Sequence, residues 1–116
     1  MNTEIKVFEI GNSWDFKIIL SEADSQARLF RTRYVPLFKD GVDAERGANT
    51  LLALLVSKAT LYMMPDNSGW IWELWQPAYT DEAEIIIESM LPPGGVPYGT
   101  AQGDGLRWAI RLGMEV

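Results

Sequence analysis

Glu84 and Glu88 are the first residues to weigh for chemistry, because two nearby carboxylates can divide general-acid and general-base roles. Four residues apart on one strand face, they would stand about 13 Å from each other, too far for either glycosidase geometry. Partnership in salt bridges is the better reading. Asp40, Asp43 and Glu45 do not follow a calcium loop, which alternates its ligands, turns on a glycine and closes with a distant glutamate. Gly94 to Gly99 followed by Thr100 approaches a phosphate-binding loop but lacks its lysine. The chain has no cysteine and no histidine, which removes thiolate nucleophiles, sulfur ligands, the usual base near neutral pH and the preferred zinc ligand together. These absences argue against an enzyme, and no metal or cofactor is expected.

Tryptophan is the other chemistry-bearing residue. Three of the five tryptophans fall in Trp70-Ile71-Trp72-Glu73-Leu74-Trp75-Gln76. Strand alternation sends Trp70, Trp72 and Leu74 to one side and Ile71, Glu73 and Trp75 to the other. Such a segment is either a central strand covered on both faces or a strand whose second face is a binding surface. Trp14 and Trp108 read as core residues.

The elements that must hold these residues follow from alternation and turn signals. Residues 4–10 and 14–20 alternate around Gly11-Asn12, a hairpin signal. A two-residue loop pairs Ile5 with Ile18, Val7 with Phe16 and Glu9 with Trp14, but sets Lys6 opposite Lys17. A four-residue loop pairs Ile5 with Leu20 and Val7 with Ile18, and it separates the lysines, whose direct opposition is unfavourable. Residues 21–27 read as a turn, 28–35 as a strand ended by Pro36, and 43–58 as a helix capped by Asp43 with Ala44, Ala48, Leu51, Leu52, Leu55 and Ala59 as its buried stripe. Residues 60–64 form a strand, 65–69 its turn, and the tryptophan segment the return, closed by Pro77.

Residues 81–91 fit helix or strand. The strand is preferred because 106–114 alternate as well, and one antiparallel register pairs Glu84 with Arg111, Glu88 with Arg107, Ile87 with Trp108 and Ile85 with Ile110. Between them, residues 92–105 hold three of the six prolines and five of the ten glycines, a loop long enough to suggest function. The expected fold is α+β: a mostly antiparallel, twisted or partly closed sheet of about six strands with one packed helix, within a single domain spanning 1–116.

The formal charge of −6 argues against nucleic acid as a partner, although Arg28, Arg31, Arg33 and Lys39 form a local basic run. No apolar run is long enough to span a bilayer, and no signal region opens the chain. A soluble protein is expected, cytoplasmic or within a virus particle. The leading functional expectation is a non-catalytic assembly subunit or adaptor. It would dock to protein partners, copies of itself among them, through Val96, Pro97, Tyr98 and Thr100 of the long loop and the aromatic face of Trp70, Trp72 and Trp75. Small chains of this kind recur as virus and phage particle components, a prior that rests on no residue. The alternative is an acidic inhibitor or immunity-type protein presenting the carboxylates of 66–88 to a basic target, such as a nucleic-acid-binding site. A small enzyme or ligand-binding domain built on the tryptophans is a third.

Overall fold

The computed structural model describes residues 1–31, 38–55, 57–76 and 85–116. The expectations placed on 32–36 and on 77–84, Glu84 included, lie outside the described residues. The fold is α+β, an open six-stranded antiparallel sheet with two helices. Strands β1 (Asn2–Ile10), β2 (Ser13–Glu22) and β3 (Ser25–Arg31) form one meander, followed by helix α1 (Gly41–Ala53). Strands β4 (Thr60–Asp66), β5 (Gly69–Trp75) and β6 (Ile85–Ser89) form a second, followed by helix α2 (Tyr98–Arg111). The sheet order β1-β2-β3-β6-β5-β4 joins the meanders through their third strands. The chain is thus two halves of the same plan, three strands and a helix. Helix α1 packs over β1 and β2, and α2 over β5 and β4, so the halves are related by a pseudo-two-fold between β3 and β6. Both helices share one core with Ile18, Leu20, Leu29, Trp72, Leu74, Ile85 and Ile87, which places them on the same face of the sheet.

The β1–β2, β2–β3 and β4–β5 hairpins use two-residue loops with a positive φ at the first loop position: Gly11 at 60°, Ala23 at 50° and Asn67 at 55°. That position is the one a type II′ turn opens to glycine, and its twist matches that of the flanking strands. The first hairpin therefore takes the two-residue register, with Lys6 opposite Lys17. Its cost is reduced by Glu4, which lies 3.2 Å from the Lys6 ammonium on the same strand face. Alanine is the poorest fit of the three turn residues, since a Cβ in the left-handed region costs about 1–2 kcal/mol. Ala23→Gly is expected to stabilise the protein by about 0.5 kcal/mol after glycine's own entropy is subtracted. A thermal melt would show this as a rise of about 2–3 °C.

Helix α1 begins earlier than the apolar pattern suggests. Asp40, in extended backbone, is the N-cap, and its carboxylate accepts from the Asp43 N–H at 2.8 Å. The helix stops at Ala53 rather than Lys58 because the chain is drawn into a short parallel bridge with the C-terminal segment. There Ala59 N donates to Glu115 O and Glu115 N to Ser57 O. Pro65, expected in a turn, lies within β4 opposite Trp70; β4 is an edge strand, where a missing N–H is tolerated.

The largest correction concerns the C-terminal third. Residues 98–111 are helix, not loop and strand, so the pairing of Glu88 with Arg107 and of Ile87 with Trp108 does not exist. Strand β6 pairs instead with β3 and β5, Glu88 meeting Arg28 and Ile87 meeting Leu29 and Leu74. The irregular stretch shrinks to 90–97. Within it, Pro92-Pro93-Gly94-Gly95 closes a tight turn, with Gly95 N donating to Pro92 O at 3.0 Å and Gly94 at φ 86°. Proline followed by a positive-φ glycine is the requirement of a type II turn.

Candidate functional site

Asp104, on the buried side of α2, is 6% exposed and organises a polar network beneath the helix. The Ser25 hydroxyl donates to its Oδ1 at 2.8 Å, and the Trp72 indole N–H donates to its Oδ2 at 2.8 Å. The Trp108 indole N–H in turn donates to Ser25 Oγ at 2.7 Å. Three side chains, from the start of β3, from β5 and from α2 itself, are thereby tied to one carboxylate, Trp108 through Ser25. Beside the network opens a shallow cleft of about 330 Å³ lined by Asp24, Gln26, Met90, Arg107 and Arg111 among others. The Arg111 guanidinium lies 5.1 Å from the Trp108 ring centre, and its Nη1 is buried without a hydrogen-bond partner among the described residues. Glu22 also feels Arg111. Its carboxyl is held below the usual carboxylate range chiefly by the hydrogen bond and charge of the Met1 ammonium, with Arg111 adding to the effect. Two arginines against Asp24 and Asp104 leave the cleft near electrical balance.

The residues singled out from sequence are separated by this fold. Trp70, Val96 and Tyr98 come together: Trp70 and Val96 exchange backbone hydrogen bonds at 2.7 and 3.0 Å, and the Tyr98 ring stands edge-on to Trp70 at 5.0 Å. Pro97 is the N-cap of α2, and Thr100 is exposed in its first turn. Trp72 is fully buried and presents no surface to a partner. Trp75 lies on the opposite sheet face, edge-on to Tyr62 at 5.5 Å, with its indole N–H donating to the buried Glu73 carboxylate at 3.1 Å. Helix α2, rather than the helix after Asp40, covers the tryptophan strand. No family model, curated protein or solved structure matches the chain. No described helix is long and apolar enough to cross a membrane.

What remains outside the cover of the two described helices is the second sheet face. One row crosses all six strands: Glu4, Ile19, Arg28, Glu88, Glu73, Tyr62. Arg28 bridges to Glu88 and lies over the Phe30 ring, 5.4 Å from its centre, so the like charges of Glu88 and Glu73 are each answered, the second by Trp75. Next in register stand Phe30, Ile86, Trp75 and Thr60. Phe8, Tyr62 and Met90 on this face are exposed. The face combines aromatic and charged side chains: Ile86 and Glu73 in its middle are buried, while Phe8 and Tyr62 towards its flanks are exposed. Sequence reasoning named Trp75 here but missed Phe8, Phe30 and Tyr62, because their common face depends on a strand order that no single hairpin reveals.

Proposed function

We propose that this chain is a non-catalytic assembly subunit or adaptor that docks to protein partners. The observation that carries this is the sheet face opposite the helices, where Phe8, Phe30, Tyr62 and Trp75 stand with Arg28 and Glu88. Aromatic residues and arginine are the types that anchor protein interfaces. The inhibitor reading draws less support. Among the described carboxylates of 66–88, Glu73 is buried beside Trp75 and Glu88 is bridged to Arg28. A component of a virus or phage particle remains one setting for such a subunit.

The test is a native mass measurement of the chain taken from its natural host, beside a Phe8→Glu/Tyr62→Glu variant. The wild type is expected within a heavier complex, and the variant, folded by circular dichroism, is expected to lose it. A wild-type chain that travels alone at its monomer mass would overturn the reading.

A further inference from the structure

The two outer edges of the sheet occupy equivalent places in the two halves, yet they are treated differently. On β4, Pro65 opposes Trp70, and Trp70 spends its backbone N–H and C=O on Val96, away from β4. Position 65 therefore points its backbone outward, where proline has no donor to offer, a common way of blunting an edge. On β1, the equivalent residue is Glu9. It opposes Trp14, which spends its backbone N–H and C=O on Phe38. By the alternation of antiparallel ladders, the N–H and C=O groups of Thr3, Ile5, Val7 and Glu9 then point outward from β1. Among the described residues nothing pairs with them. The strand runs nine residues in unbroken register with β2, without proline, glycine or bulge, and leaves Val7, Phe8 and Ile10 exposed.

We propose that β1 is the pairing edge of a symmetric homodimer, joined antiparallel to β1 of a second copy about a two-fold at Ile5. This rests on the docking reading above and names one of its partners. The register is selected by charge. Centring on Ile5 places Glu4 of each copy opposite Lys6 of the other, Thr3 opposite Val7 and Asn2 opposite Phe8. A centre at Glu4 or at Lys6 sets like charges face to face, and a centre at Val7 puts Glu9 against Ile5. In the Ile5 register the Thr3–Val7 and Ile5–Ile5 pairs are hydrogen-bonded, while Glu4–Lys6 takes the closer, non-hydrogen-bonded spacing where opposite charges gain most. The same contact answers the unfavourable opposition of Lys6 and Lys17, by supplying Lys6 with a second carboxylate. The arrangement is isologous and self-closing, so it ends at a dimer with one continuous sheet and the helices of both copies on one side.

Sedimentation equilibrium of the purified chain, from about 1 to about 500 µM, tests this. The wild type is expected to pass from monomer to dimer within that range. Lys6→Glu and Val7→Pro, the second of which removes an outward N–H and spares the β1–β2 ladder, are each expected to weaken the dimer at least tenfold. The swap Glu4→Lys/Lys6→Glu is expected to restore it, because the Ile5 register then carries the same pairs with signs exchanged. Should Val7→Pro fail to fold, the charge series alone decides. A wild type that stays monomeric throughout, or a dimer indifferent to the charge series, overturns the proposal. A chain monomeric alone but held in a heavier complex in its host overturns this pairing and leaves the docking reading standing.

Discussion

Replacing Gly105 with valine is expected to destabilise the protein by about 3 kcal/mol, in the helix where most substitutions of glycine would be expected to help. A Cβ at this position would stand 2.8 Å from Leu61 Cδ1, 3.0 Å from Trp72 Cγ and 3.2 Å from Trp72 Cδ2. The first of those contacts belongs to β4 and the others to β5, so the helix has no direction in which to yield without lifting off both strands. Trp72 is itself fully buried and hydrogen-bonded to Asp104, one residue before Gly105 on the same helix, so moving the indole away would break that bond. Valine adds two further methyl groups to the clash and stiffens the side chain at χ1. Gly99 on the same helix is the control. A Cβ there meets nothing within 4 Å, and Gly99→Ala should stabilise α2 by up to about 1 kcal/mol. Urea denaturation of the two variants checks the pair. Equal midpoints would show that α2 does not need its close approach to the sheet.

The same glycine explains why α2 was unreadable in the sequence. Its buried stripe is Ala101, Asp104, Gly105, Trp108 and Ala109, which has helical spacing but contains one large apolar residue. Glycine and aspartate do not register as core, so the period of 3.6 stays hidden. Leu106, Trp108, Ile110, Leu112 and Met114 meanwhile alternate by accident. Leu106 and Ile110 turn out to be exposed, the latter 77%. The false strand then attracted a false partner, since Glu88 and Arg107 could be matched in one register while the true partner, Arg28, lies sixty positions away on β3. By contrast, the β1–β2 and β4–β5 hairpins are legible because they are local, whereas residues 21–27, expected to be a turn, are strand on either side of the two loop residues Ala23 and Asp24, a polar stretch that hides its pairing. The β1–β2 faces, the Thr60–Trp75 hairpin and the two sides of Trp70 to Gln76 all follow from alternation and a turn. The repetition of the two halves leaves only a trace, in Trp14 and Trp70, each three residues past the first loop position of its turn. Sheet order, and with it the composition of the second face and of the edges, is decided by which meander meets which. That is a property of helix placement rather than of any one strand.

Removal of the Asp104 carboxylate has the second large effect, and it distinguishes two reasons for burying a charge. If the network exists to fasten α2 to the sheet, Asp104→Ala should destabilise by about 3 kcal/mol. The Trp72 N–H, fully buried, would lose its acceptor, and Ser25 would keep only its role as acceptor for Trp108. Asp104→Asn retains one carbonyl oxygen at nearly the same place and should cost about 1 kcal/mol. Trp72→Phe removes the other end of the Trp72–Asp104 bond, so the double variant Asp104→Ala/Trp72→Phe should lose less than the two single losses combined, by about 1 kcal/mol or more. Thermal and urea unfolding of the wild type and the four variants measures each term. If Asp104 is instead held for a ligand entering the cleft beside Arg107 and Arg111, the balance reverses. A charge buried for binding is commonly a net burden on the empty protein, and Asp104→Ala would then melt higher than the wild type. The tethering geometry favours the first outcome. Each carboxylate oxygen already holds a donor at 2.8 Å and the residue is only 6% exposed, so its acceptor sites face the fold rather than the cleft.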